Sequence, residues 1–171
     1  MSHANALLLD AFGRIREAVH GAVEGLGSAQ LTYRVDPEAN TIAWLVWHLT
    51  RIQDDHVAHL AGTGQAWHEE GWFDRSGLPF APDEHGYGHT SVQVAAVDLP
   101  ADVLVGYHDA VHRRTVAYLE ALDDAAYDDV VDRRWDPPVT RAVRLMSVVE
   151  DDMQHVGQAA FLRGVVERLD V

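Results

Sequence analysis

Asp151 and His155 stand four residues apart in VVEDDMQHVGQAAFLRG, residues 148 to 164. On a helix they lie about 40° apart, in one sector with Val148, Ala159, Leu162 and Val166. An unpaired carboxylate on such an apolar stripe costs on the order of several kcal/mol, so it must be paired, protonated or bound to a metal. The i,i+4 spacing also aims both side chains at one external point. A third group is offered by NTIAWLVWHLTRIQDDHVAHL, where His48 sits at the edge of a stripe of Trp44, Leu45 and Ile52. A core histidine must satisfy both ring nitrogens, and a metal satisfies one of them. One histidine from one helix with an aspartate and a histidine from another form a three-ligand site with open positions, as catalytic metals have. Two plainer readings stand beside this: His48 as a hydrogen-bonded core histidine, and Asp151 as the ion-pair partner of Arg51, Arg141 or Arg144.

A divalent cation held by two histidines and one carboxylate keeps a net positive charge, which lowers the pKa of a bound thiol or water. The chain contains no cysteine, so any thiol must arrive as a ligand, and disulfides and thiolate metal sites are excluded. Other histidines are less well placed. His108 and His112 share a helical segment and read as part of a polar face, His108 on the core stripe and His112 at its edge. His56 and His59 lie two and three turns beyond His48, too far along the axis to share one metal, and the Asp54–Asp55–His56 run reads as a solvated face. No Ser-His-Asp set is apparent. The Gly-rich run of the long loop is not followed by Lys-Ser/Thr, so it is no phosphate cradle.

Four segments of helical periodicity must position these groups, and none shows sustained period-two alternation. The first runs from about Asn5 to Leu26 with Leu8, Phe12, Ile15, Val19, Val23 and Leu26 on one stripe, and Gly27 stops it. The second, about Thr41 to Leu60, follows a polar DPEAN turn that supplies Asn40 or Thr41 as N-cap, and Gly62 ends it. The third runs from near Pro100 to Leu122 with Leu104, Tyr107, Val111, Thr115, Tyr118 and Leu122 on its stripe. The fourth runs from near Thr140, after WDPPV, to about Leu169. Amphipathic helices of this number and length predict an all-α four-helix bundle, expected as a single domain over residues 1–171. Between Gly62 and Leu99 lies a long connection with Trp67, Trp72, Phe73, Phe80 and Tyr87. That aromatic content argues against disorder and predicts an ordered cap over the metal end of the bundle.

The formal charge of −14 argues against a nucleic-acid partner, whose binding rests on neutralising phosphates. No apolar run approaches the ~18 residues of a membrane span. The opening MSHANALLLD lacks a basic n-region and a cleavage site, so a cytoplasmic protein is expected, as monomer or homodimer. All 13 basic residues are arginine, which with abundant Ala, Val and Asp suggests a GC-rich genome. Such a genome is compatible with an actinobacterium, where mycothiol is the resident thiol.

The helix order, the His within WLVWHLTRIQDDH and the acidic-or-His-x-x-x-His pattern of DDMQHVGQ together resemble the DinB/YfiT-like superfamily of metal-binding four-helix bundles. That superfamily includes mycothiol-dependent maleylpyruvate isomerases and mycothiol or bacillithiol S-transferases. The resemblance covers essentially the whole chain. It implies an up-down-down-up bundle, His48, Asp151 and His155 as ligands, a divalent metal (zinc first; nickel, manganese or iron as alternatives) and mycothiol as co-substrate. The implied activity is S-transfer to, or isomerisation of, a small electrophile. A non-catalytic metal- or ligand-binding bundle and a metal-dependent hydrolase are the alternatives. The departure is Asp151, where relatives more often carry His or Glu; its shorter arm bears on which metal is held and how tightly.

Overall fold

A computed structural model describes residues 2–169, so Met1, Asp170 and Val171, which the single-domain expectation includes, lie outside the described residues. Eight α-helices occur among them: α1 (His3–Val23), α2 (Ser28–Leu31), α3 (Ile42–Ala61), α4 (Ala66–Glu69), α5 (Trp72–Ser76), α6 (Ser91–Ala95), α7 (Ala101–Ala121) and α8 (Arg141–Val166). The four long ones, α1, α3, α7 and α8, match the four periodic segments. Their starts follow local capping chemistry: Ser2, Thr41 and Thr140 each accept a hydrogen bond from the amide three residues on. Gly62, at φ 68°, closes α3 in the left-handed conformation that glycine adopts without penalty.

Side-chain contacts fix the helix directions. Arg141, at the start of α8, donates to the Leu60 carbonyl at the end of α3, so these two are antiparallel. Arg163, near the end of α8, donates to the Gly21 and Glu24 carbonyls at the end of α1, so that pair is parallel. Asn5 donates to Leu119 and Leu122, which sets α1 against α7. Tyr107 of α7 meets Asp54 of α3, and Arg114, farther along α7, donates to the Gly64 carbonyl just past the end of α3, so these two run the same way. The result is the up-down-down-up bundle that the resemblance implied.

The apolar stripes meet as expected: Phe12, Ile15 and Val19 of α1, Leu45 and Leu49 of α3, Leu104 and Val111 of α7, and Leu145, Val148 and Ala159 of α8 are all buried. In the third segment Leu119, not Tyr118 or Leu122, is fully buried at the far end, since the stripe turns slightly toward α1.

Two features depart from the sequence reading. A two-stranded antiparallel hairpin, β1 (Val130–Asp132) with β2 (Val139–Thr140), occupies the connection before α8. Strands of three and two residues are too short to leave a period-two pattern. The long connection is ordered, with α4, α5 and α6 in it, but it runs along the flank of α3 rather than lying only over one end. Trp67 is buried and stacks obliquely on Tyr107, and Phe80 packs on Trp47, whereas Tyr87 is 87% exposed. No helix among the described residues is long and apolar enough to cross a membrane.

Candidate metal centre

His48 sits at mid-α3, and Asp151 and His155 at mid-α8, where the two antiparallel helices pack along their length. Each contributes one potential ligand atom, and these atoms lie within 4.8 Å of one another. His155 Nε2 stands 3.6 Å from Asp151 Oδ1, and the His48 and His155 rings are 5.0 Å apart, nearly perpendicular. His48 is buried, while Asp151 and His155 keep side-chain exposures of 31% and 19%. The cluster therefore opens to solvent on the α8 side and is closed on the α3 side.

The second nitrogen of each imidazole is already committed. His48 Nδ1–H donates to the His85 carbonyl, which leaves Nε2 bare. His155 Nδ1–H donates to Gln158 Oε1 at 3.3 Å, which does the same for its Nε2. Such partners fix tautomer and ring orientation in histidines that bind metals. Burial, followed by the His155 ring nearby, lowers the His48 pKa to about 4, so the imidazole is neutral at pH 7 with a free lone pair. Burial raises the Asp151 pKa, opposed by His155 and His56.

Asp151 Oδ2 is buried without a hydrogen-bond partner. None of the three arginines read as ion-pair partners of Asp151 reaches it. Arg51 approaches Asp54 at 3.9 Å, Arg141 pairs with Asp129 and Arg144 pairs with Asp132. Two bare imidazole nitrogens and an orphaned carboxylate oxygen, converging from two rigid helices, fit a divalent cation of the zinc, nickel, iron or manganese kind.

Residues around the cluster hold it in place. Trp44 stacks face to face on His48 (centroids 4.6 Å apart, planes 12° apart) and presents an edge to His155. Trp44 Nε1–H donates to His89 Nδ1, and His89 Nε2–H then donates to Glu84. Gly86 brings the loop backbone against this group at φ 97°. A Cβ there would lie 2.7 Å from His48 Nδ1 and 3.0 Å from the Trp47 ring. Only glycine permits that approach with the His85 carbonyl aimed at His48.

The remaining sequence candidates fall elsewhere. His56 and His59 are not in the cluster, as their axial spacing required. The Asp-Asp-His run is not a solvated face: Asp54 is buried, its carboxylate accepting the Ala66 and Trp67 amides and the Tyr107 hydroxyl. Nor does His108 belong to a polar face. It is fully buried, neither ring nitrogen has a protein partner, and burial lowers its pKa to about 3. The most deeply buried carboxylate of α8 is Asp152, not Asp151. Both its oxygens lack partners, and burial raises its pKa well above the ordinary range.

Residues 7–168 match the mycothiol-S-transferase family. The chain belongs to that family. Its bundle is similar to the crystal structure of a conserved protein from Enterococcus faecalis, with a TM-score of 0.89 and 27% sequence identity over 95% of this chain and 96% of that one. No curated protein matches the chain. Family membership supports thiol and small-molecule substrates, and the His48–Asp151–His155 cluster is where this member can hold a metal ion.

Proposed function

We propose that this protein is a metal-dependent S-transferase that joins a low-molecular-weight thiol, mycothiol, to a small electrophile, with His48, Asp151 and His155 as the metal ligands. The observation that carries the reading is the set of three converging, otherwise unsatisfied ligand atoms in a chain of the mycothiol-S-transferase family. A divalent cation there would supply charge that favours the thiolate over the thiol.

The chain's own residues account for the rest. The His85 carbonyl and Gln158 hold the Nδ1 side of His48 and His155, so each ring turns its Nε2 toward the cluster. Trp44 and Trp47, supported by His89 and Phe80, exclude water from the α3 side. The absence of cysteine means that the protein offers no competing thiol of its own. Zinc fits a set of two nitrogens and one oxygen with a short carboxylate arm, and the cytoplasm is the compartment we propose for it.

The test is turnover of a panel of electrophiles with and without mycothiol, in metal-loaded and chelated protein. The expected result is conjugate formation that requires both metal and thiol. Thiol-dependent rearrangement without a conjugate would move the activity to isomerisation, and thiol-independent hydrolysis would overturn the reading. Metal binding without turnover across the panel would leave a non-catalytic bundle.

A further inference from the structure

Beside the candidate metal centre, the α3–α8 seam continues into a groove of about 450 Å³ between these helices and the β1–β2 hairpin. Arg133, Arg134 and Arg144 line it, with His56, His59 and Asp55. Its floor includes Asp132, which is only 8% exposed and is shared by Arg134 at 2.8 Å and Arg144 at 3.1 Å. Among its arginines and aspartates, three against two leave the groove one positive charge in excess. The chain as a whole carries −14, and 3 of its 13 arginines converge here.

The arrangement has the parts of an oxyanion site. Asp132 anchors Arg134 and Arg144 without cancelling both, and its own pKa is held far below the ordinary range by Arg134. Arg133 makes no ion pair or hydrogen bond among the described residues, and its guanidinium is exposed at the hairpin. His56 is half-buried; burial first, then Arg144, lowers its pKa, so it adds a neutral N–H rather than a charge. A planar guanidinium is suited to two-pronged recognition of carboxylate, sulfate or phosphate.

Position relative to the metal centre gives the groove its meaning. Arg144 precedes Asp151 by seven residues, so the two lie on one face of α8, about 10.5 Å apart along the axis. His56 lines the groove with Arg144 and feels the charge of both Arg144 and Asp151. We infer that the groove binds a fixed oxyanion on a small substrate whose reactive atom lies at the His48–Asp151–His155 cluster. This deepens the S-transferase reading and rests on it for the word substrate; the anion site itself does not.

Titration calorimetry with inorganic sulfate, at constant ionic strength and without thiol, tests the site directly. Saturable one-to-one binding is expected in the wild type. Arg133→Gln, which breaks no ion pair, should weaken it roughly tenfold, and Arg144→Gln should weaken it further. Arg14→Gln, on the exposed surface of α1, should leave it unchanged. His48→Ala should retain sulfate binding while losing metal. The inference is overturned by the absence of saturable binding, by an unchanged affinity in Arg133→Gln, by equal weakening in Arg14→Gln, or by loss of sulfate binding in His48→Ala. In the active protein, with mycothiol as the thiol, one matched pair tests the substrate role: an electrophile with a carboxylate against its amide. A KM that rises severalfold on removing the carboxylate, and does so only while Arg133 is present, assigns the oxyanion to the electrophile. No dependence on the carboxylate overturns the substrate role.

Discussion

Helix α3 carries buried polar groups on two seams, and the two treat them oppositely. Toward α7, Asp54 accepts two backbone amides and the Tyr107 hydroxyl, Arg51 reaches Gln65 and Tyr107, and Gln53 donates to Thr115. Toward α8, His48, Asp151 and His155 face one another with a bare atom each, and Asp151 Oδ2 has no partner. The first seam spends its polar groups on one another, Gln53 Oε1 excepted, and the second leaves them available. A buried polar atom without a partner costs free energy unless something absent from the polypeptide completes it. What sets the second seam apart from lone orphans such as Asp152 and His108 is that its bare atoms converge, within 4.8 Å of one another.

The comparison breaks most completely at the open seam. Replacing Asp151 by Ala is expected to abolish metal retention and thiol-dependent turnover together while the helical circular dichroism spectrum persists. Elemental analysis decides it. A metal-replete Asp151→Ala protein would show that the carboxylate is not a ligand. At the closed seam the expected outcome is inverted. Asp54→Ala strands two amides, the Tyr107 hydroxyl and Arg51, and should cost about 3–5 kcal/mol in urea denaturation. Whatever Asp54→Ala protein remains folded should still bind one metal.

A smaller effect sharpens the boundary between the seams. Gly86→Ala pushes a methyl group against His48 Nδ1 at a backbone angle that L-residues rarely adopt, so the His85 carbonyl must retreat. Metal affinity should fall about 10- to 100-fold, as happens when a ligand histidine loses its orienting partner. Competition against a chelating dye measures it, and unchanged affinity would show that the loop does not orient His48.

The smallest effect at neutral pH concerns a buried histidine outside both seams. His108 titrates near 3 in the fold and near 6.5 when unfolded, so between these values the unfolded chain binds the extra proton. Its burial therefore costs stability as pH falls below about 6.5, by up to about 1.4 kcal/mol per pH unit down to about 3. His108→Leu should lessen the acid dependence of the denaturation free energy by close to one proton between pH 6 and 4. Parallel curves for the two proteins would show that His108 has a partner that keeps its pKa near the ordinary value.

Much of this arrangement can be read in the sequence because it is local. Capping threonines, Gly62 and the helical stripes place the four long helices within a few residues of their ends, and the Asp151–His155 spacing with the azimuth of His48 picks out the cluster. What escapes is set by contacts distant in sequence. Asp54 looks solvated in an Asp-Asp-His run because its partners, the amides of α4, lie 12 and 13 residues on. Asp152 looks like a companion of Asp151. It is buried because α8 is covered by α1 as well as by α3, which widens its apolar arc beyond a single stripe. His85 and Gly86 act through a carbonyl and a missing side chain, neither of which leaves a pattern in composition, although the glycines of EHGYGH mark a backbone with unusual angles.

Helix α8 ends in two arginine clasps. Arg141 holds the Leu60 carbonyl at the end of α3, and Arg163 the Gly21 and Glu24 carbonyls at the end of α1, groups that a helix terminus otherwise leaves to water. The C-terminal turns of α1 and α3, which would ordinarily fray first, are thereby fastened to opposite ends of one 26-residue helix. Amide exchange at both turns should then follow the opening of α8 rather than independent local fluctuations. Because α8 also carries Asp151 and His155, a disturbance at either helix end reaches the cluster as a shift of its carrier, so the distances between His48 and its two partners are set by the whole length of the bundle.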